Sequence, residues 1–120
     1  MLKIEPTKNT PHILIDAELG IMEFSGRCTI NETKYLFETV KKCIEEYAKV
    51  PKPITRIEIK IEYFNTSSVS CLERIFNILN NANTKVVVDW FYEPDDDDVL
   101  ELGEDFADVN KNCEFTIRQI

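Results

Sequence analysis

The sequence predicts an α/β fold of order β-β-α-β-α-β-α-β, with a mostly parallel five-stranded sheet and helices mainly on one face. Segments in which apolar side chains alternate every second residue take turns with segments of helical period, which is typical of strand–helix–strand units. The crossovers of such units are right-handed, and each joins two parallel strands. The strands alternate apolar and polar residues, whereas strands covered on both faces are apolar throughout. We therefore expect one covered face, with the parallel strands advancing in one direction across the sheet.

Residues 12–19 and the segment after Gly20 are expected to pair as a β-hairpin, because both alternate apolar and polar side chains around a glycine. This hairpin supplies the first two strands of the predicted sheet. Its apolar face is predicted to carry Ile13, Ile15, Ala17, Leu19, Met22, Phe24, Gly26 and Cys28.

Three helices alternate with three further strands over the rest of the chain. The helices are predicted at residues 33–48, about 69–81 and about 97–109, and the strands at 56–64, 85–92 and 113–120. Each helix has apolar residues every three or four positions, as a helix that covers a sheet requires. The predicted core positions of the helices are Leu36, Phe37, Val40, Ile44, Tyr47, Leu72, Ile75, Phe76, Leu79, Val99, Leu102, Phe106 and Val109. In the second helix, Leu72, Ile75 and Phe76 are expected to pack against two strands at Ile59 and Val88 or their neighbours.

Length and charge narrow the classes of function. Proteins of 120 residues usually form one domain, so we expect a single domain over residues 1–120. The formal net charge of −8 disfavours nucleic acid, whose binding needs a basic surface, and disfavours anionic membranes. The sequence has neither a long apolar run nor a leader pattern, so a cytoplasmic location is expected.

The cysteine and histidine content predicts no metal site and no cofactor. Cys28, Cys43, Cys71 and Cys113 lie far apart in the sequence, and the one histidine is His12. A zinc site needs four nitrogen or sulfur ligands, usually at short spacings. We expect the thiols to be small buried apolar side chains.

Three loops, residues 27–33, 64–69 and 92–98, are expected to meet at the carboxyl edge of the parallel sheet, where functional groups gather in such folds. The last loop contains a run of four acids, which are Asp95, Asp96, Asp97 and Asp98. Asp97 or Asp98 is expected to cap the third helix. The run lacks the glycine and terminal glutamate of an EF-hand loop, so a solvated acidic face is favoured, and a docking surface for a basic partner is the alternative.

The middle loop has three consecutive hydroxyl side chains at residues 66–68, directly after Asn65. Residues of these types cap helices, and Ser70 with Glu73 fits a capping box, so capping alone is a sufficient explanation. A helix N-terminus also accommodates a phosphate on one of the hydroxyls, because its free N–H groups and dipole favour negative charge. Enzyme chemistry is disfavoured, because a hydroxyl nucleophile needs an adjacent base.

Four segments carry a resemblance to a known family. They are Phe24-Ser25-Gly26-Arg27, Tyr63-Phe64-Asn65-Thr66-Ser67-Ser68, Trp90-Phe91-Tyr92 followed by acids, and Gly103-Glu104-Asp105-Phe106. In this order they resemble the SiaC-type regulatory phosphoproteins of bacteria, which are related in fold to STAS domains and anti-sigma-factor antagonists. The resemblance extends from about Ile4 to the C-terminus and implies a STAS-like fold.

The resemblance implies that an anti-sigma-factor-type protein kinase phosphorylates Thr66 and that a metal-dependent protein phosphatase removes the phosphate. It implies that the unphosphorylated form binds a target such as a diguanylate cyclase. Asn65, Ser67 and Ser68 would belong to the phosphosite loop and contact the partner. The segment from Cys28 to Glu32 departs from the family pattern, since it lacks a serine after Gly-Arg and the Pro-Glu-Asn that follows.

The leading hypothesis is therefore a non-catalytic binding protein that is switched by phosphorylation. The second hypothesis is a constitutive STAS-like interaction or anion-sensing module, in which Thr66 only caps the helix. A small enzyme is the third. Phosphate mapped to Thr66 in protein from the native host would separate the first hypothesis from the other two.

Overall fold

The computed structural model describes residues 1–29 and 34–120 and contains a six-stranded mixed sheet with three helices. The predicted order of strands and helices is confirmed, and one strand precedes it. The strands are β1 (Leu2–Ile4), β2 (His12–Asp16), β3 (Ile21–Arg27), β4 (Ile54–Tyr63), β5 (Lys85–Tyr92) and β6 (Glu114–Gln119). The helices are α1 (Lys34–Lys49), α2 (Thr66–Asn80) and α3 (Asp97–Val109).

The six strands lie in the sheet in their sequence order, from β1 to β6. β1–β2 and β2–β3 are antiparallel, and the three pairs from β3 to β6 are parallel. The predicted five-stranded sheet is therefore one strand short, and the sheet is mixed, with three of its five strand pairings parallel. A three-residue strand is too short to show an alternation, and β1 is defined by its pairing with β2. The predicted advance in one direction is correct, because sequential strand order follows from three crossovers of the same hand.

One face of the sheet is covered and the other is polar, as the strand alternation predicted. Phe24, Ile59, Trp90 and Ile117 lie side by side in one row across β3 to β6, and all of them belong to or pack against the core. The neighbouring row on the opposite face is Glu23, Glu58, Asp89 and Thr116. Buried side chains of all three helices join the first row in a single apolar cluster.

The predicted core of α2 is confirmed. Leu72, Ile75 and Phe76 are all buried in the cluster that contains Ile59 and Val88. The Phe76 ring also contacts two other aromatic rings, with its centroid 5.4 Å from that of Phe106 and 5.5 Å from that of Phe115.

Two predicted core segments, one in a strand and one in a helix, end earlier than their hydrophobic periodicity suggests. β2 ends at Asp16, because its carboxylate accepts the N–H groups of Glu18 and Leu19 at 3.1 and 3.2 Å and turns the chain. Ala17 and Leu19 are consequently exposed, Leu19 at 66%, so their predicted places on the apolar face of the hairpin are wrong. Val109, the last residue of α3, is also exposed, at 81%.

Gly103 lies in the middle of α3, directly against the ring of Trp90. A Cβ atom at this position would lie 2.5 Å from Cδ1 and Nε1 of Trp90. The indole is fully buried, and its Nε1–H donates a hydrogen bond to the carbonyl of Val99 at 3.0 Å, so a shift of the ring would disturb core packing and this bond. Close helix packing at this point therefore requires glycine.

We expect Gly103→Ala to destabilise the fold by about 1–2 kcal/mol net, because overpacking of a core costs up to about 3 kcal/mol. The gain of about 1 kcal/mol in helix propensity offsets only part of the clash. Urea unfolding would measure the difference. Glu104→Ala is the control, because Glu104 is exposed on the same helix. Equal stability of the two variants would contradict the packing described for Trp90.

Candidate functional site

The turn between β4 and α2 is held by a reciprocal pair of hydrogen bonds. Asn65 is the N-cap of α2, and its Oδ1 accepts the N–H of Ser68 at 2.8 Å. In return, Oγ of Ser68 accepts the N–H of Asn65 at 2.9 Å. This capping box replaces the Ser70–Glu73 box that the sequence suggested, because Asn65, a cap five residues earlier, satisfies the first amides of the helix. α2 accordingly begins at Thr66 rather than near residue 69.

The three hydroxyls of this turn have different surroundings. Ser68 is 3% exposed and its hydroxyl is used within the capping box. Thr66 and Ser67 are the first two residues of the helix, and both are exposed. The first amides of a helix have no partner within the helix, and the positive end of its dipole lies there. Thr66 and Ser67 therefore present their hydroxyls where added negative charge is favoured.

A cavity of about 350 Å³ lies between α1 and α2, beside Thr66. We call it the α1–α2 cavity. It is lined by three hydroxyl side chains, two cations, a carboxylate, an aromatic ring and a thiol, which are Thr66, Ser67, Ser70, Lys41, Arg74, Glu38, Phe37 and Cys71. The arrangement brings a lysine and an arginine to the same cavity as an exposed threonine.

Sequence analysis missed both of these cations. Thr66, Ser70 and Arg74 are four residues apart, so they share one face of α2, and that spacing could have pointed to Arg74. Lys41 belongs to α1, and only the packing of α1 beside α2 brings it to this cavity.

Each of the two cations that line the α1–α2 cavity has a carboxylate near the limit of ion-pair distance. Nη1 of Arg74 lies 3.7 Å from Oε1 of Glu38, and Nζ of Lys41 lies 3.9 Å from Oε1 of Glu45. Each of these side chains is at least a third exposed. Ion pairs of this kind contribute about 0–1 kcal/mol, so an anion in the cavity could recruit both cations at little cost.

The predicted meeting of loops at the carboxyl edge is confirmed for the ends of β3 and β4. The N–H of Cys28 donates to the carbonyl of Tyr63 at 3.1 Å, and Sγ of Cys28 donates to Oδ1 of Asn65 at 3.5 Å. The segment from Cys28 to Glu32, which departs from the family pattern, thus begins next to the N-cap of α2. Its last part, residues 30–32, lies outside the described residues, as does residue 33 at the end of the predicted loop.

The acidic run forms the start of α3. Asp96 is the N-cap, and its Oδ1 accepts the N–H of Val99 at 3.1 Å. The expectation that Asp97 or Asp98 caps the helix is therefore wrong by one or two residues, and these two acids occupy the first turn instead. They still complement the helix dipole there. Asp95, Asp97 and Asp98 are exposed.

The thiols show no sign of reactive chemistry. Cys28 and Cys71 are buried, as predicted, whereas Cys43 and Cys113 are partly exposed. Burial raises the pKa of the Cys71 thiol to about 12, so the thiol in the α1–α2 cavity is protonated at neutral pH. Among residues 1–29 and 34–120, no three potential ligands of the His, Cys, Asp or Glu type come together to hold a metal ion. Within the same residues, every helix is too short or too polar to cross a bilayer.

Asn65→Ala is expected to destabilise the protein by about 1–2 kcal/mol, near the upper end for loss of an N-cap, because it leaves Ser68 without its reciprocal partner. Thermal unfolding followed by circular dichroism would measure the loss. Ser67→Ala is the matched control in the same turn, since Ser67 is exposed and outside the capping box. A smaller loss for Asn65→Ala than for Ser67→Ala would contradict the capping geometry.

Comparisons with known proteins agree with the fold and with the family resemblance. A model of the family described as "SiaC family regulatory phosphoprotein" matches residues 4–120. The crystal structure of apo-SiaC from Pseudomonas aeruginosa is 26% identical, covers 98% of this chain and 97% of its own, and superposes with a TM-score of 0.84. A chain in the crystal structure of the P. aeruginosa diguanylate cyclase SiaD in complex with its activator SiaC is 24% identical over all of both chains, with a TM-score of 0.89. A P. aeruginosa UCBPP-PA14 protein whose name assigns it no function is 26% identical, over 95% of this chain and 90% of its own.

Proposed function

The chain belongs to the SiaC family of regulatory phosphoproteins, and we propose that it is a non-catalytic cytoplasmic switch controlled by reversible phosphorylation of Thr66. In this proposal a protein kinase of the anti-sigma-factor type adds the phosphate and a metal-dependent protein phosphatase removes it. The unphosphorylated form binds a target such as a diguanylate cyclase. The SiaC of P. aeruginosa is the activator of the cyclase SiaD and forms a complex with it, which supports this class of target.

The observation that carries the proposal is the position of Thr66 at the first turn of α2, beside the α1–α2 cavity. Thr66 is exposed, and Lys41 and Arg74 line the same cavity. A phosphate carries about −1.5 to −2 charges at neutral pH and forms charge-assisted hydrogen bonds with such cations. The helix dipole favours the same charge. A phosphorylated Thr66 would therefore be stabilised by groups of its own chain without a change of fold.

The same geometry weighs against the alternative in which Thr66 only caps the helix. The cap is Asn65, and the capping box is completed by Ser68. Thr66 is thus not needed as the cap, and its exposed hydroxyl is accessible to a modifying enzyme. An enzyme centre is less favoured still, because the cavity has no imidazole and its thiol is protonated.

Phosphopeptide mapping of the protein purified from its native host tests the proposal. We expect one phosphate, located on Thr66, in a fraction of the molecules. Replacement of Thr66 by alanine should abolish the modification. Ser67→Ala is the matched control, because both hydroxyls are exposed in the same turn, and this variant should keep the modification. A phosphate that maps to Ser67 or Ser70, or that is absent in the presence of the kinase, would overturn the assignment.

A further inference from the structure

A groove runs between α2 and α3 and continues past the end of β4, separate from the α1–α2 cavity. It consists of two cavities of about 620 and 370 Å³. Val69 and Leu102 line both of them, so the two adjoin and form one surface feature. We call it the α2–α3 groove. α2 packs beside α1, while α3 packs on β5 and β6, and the larger cavity lies between α2 and α3.

Apolar side chains line much of the α2–α3 groove, together with Asn77, Asn80 and Asn110. Val69 and Leu102 lie where the two cavities meet, and Phe106 and Val109 continue the apolar lining toward the end of α3. Val109 is 81% exposed, although its spacing in α3 is that of a core residue. Apolar side chains in a concave surface are the usual sign of a binding groove, since burial against a partner removes them from water.

The rim of the α2–α3 groove is acidic. Glu62, Glu73, Asp98 and Asp105 line it and are exposed, whereas no lysine, arginine or histidine lines either cavity. Within the described part of the chain, these four carboxylates form no ion pair. A basic partner would supply the missing counter-charges, and an acidic one would be repelled.

We infer that the α2–α3 groove docks an amphipathic helix of a partner protein, with an apolar stripe flanked by lysine or arginine. Apolar side chains between two helices, with a charged rim, suit the helix-in-groove mode of recognition. The residues of α2 that line the groove run from Val69 to Asn80, or roughly 17 Å, which matches about three turns of a docked helix. The inference rests on the proposed function, since it names the chemistry of a partner for a protein that acts by binding. Thr66 lines the α1–α2 cavity and lies one turn before Val69, at the end of the groove where α2 begins.

Titration of the ¹⁵N-labelled, unphosphorylated full chain with a synthetic peptide tests this inference. The probe is a helix of about 18 residues with leucine at i, i+3, i+4 and i+7 and lysine on its flanks. We expect the amide resonances of Val69, Glu73, Leu102 and Asp105 to shift and saturate. A peptide with glutamate in place of lysine, and a shuffled lysine peptide without an apolar stripe, should leave them unshifted.

Two charge-reversal variants provide the matched comparison. Glu73→Lys with Asp105→Lys changes the rim, while Glu101→Lys with Glu104→Lys makes the same change of net charge at exposed positions that do not line the groove. We expect the rim variant to weaken peptide binding by about tenfold or more and the control variant to weaken it far less. Both variants should keep the amide spectrum of a folded chain.

Several results would overturn the inference. These are an absence of binding, equal weakening in both variants, shifts confined to another surface, or equal binding of the glutamate peptide. Shifts of the groove resonances with protein concentration alone would assign the groove to a second copy of the chain instead. Neither kinase nor phosphate enters the titration, so failure of the phosphorylation proposal would leave its result unchanged.

Discussion

Phosphate on Thr66 is expected to lower the affinity of the chain for its target by roughly a hundredfold, or about 3 kcal/mol. Thr66 lies on the exposed first turn of α2, so a partner that covers this turn must desolvate or repel an added dianion. Lys41 and Arg74 would pair with the phosphate and would no longer be available to acids of the partner. Calorimetric titration of the proposed diguanylate cyclase target with unmodified and kinase-treated protein would measure the change.

Two variants at the same position serve as controls for this prediction. Thr66→Ala should bind as the unmodified protein does, and it should cost little stability because the helix is capped by Asn65. Thr66→Asp should weaken binding less than phosphate, since one carboxylate carries less charge. Equal affinity of the phosphorylated and unmodified proteins, with the phosphate confirmed on Thr66, would refute the switch.

Truncation of Phe76 to alanine is expected to destabilise the fold by about 3–5 kcal/mol. Phe76 is 1% exposed and contacts the rings of Phe106 and Phe115, so the truncation leaves a cavity where α2 and α3 meet the sheet. Urea unfolding at equilibrium would measure the loss, with the slope of the transition as a check that unfolding remains two-state.

Phe91→Ala is the matched control, because it makes the same chemical change on the open face of the sheet. Phe91 is only partly buried there and stacks with Lys60, whose Nζ lies 4.5 Å from the ring centroid. We expect it to lose less than half as much stability as Phe76→Ala, since no cavity forms at a surface that water can reach. Equal losses would contradict a sheet covered on one face.

Much of the fold could be predicted because the strands and helices differ in short-range period. The alternation of Ile57, Ile59 and Ile61 with charged residues indicates a strand with one solvent-exposed face, and β4 is such a strand. The spacing of Leu72, Ile75 and Phe76 likewise indicates the buried side of α2. Strand order followed from the constant hand of the crossovers. The exposed Leu19 and Val109 show the limit of periodicity, because a pattern does not reveal where a turn or the end of a helix interrupts it.

The sequence by itself determined the order of β2 to β6 and the helices, the face of each that is buried, and the group of candidate residues from Asn65 to Ser68. These properties depend on residues within a few positions of each other, whose side-chain directions follow from helix and strand geometry. Only the tertiary structure decided that β1 joins the sheet, that Asn65 rather than a later residue caps α2, and that Lys41 reaches the cavity beside Thr66. Each of these depends on a partner distant in sequence or on which of several competing hydrogen bonds forms. Packing therefore settles them, and a local pattern does not.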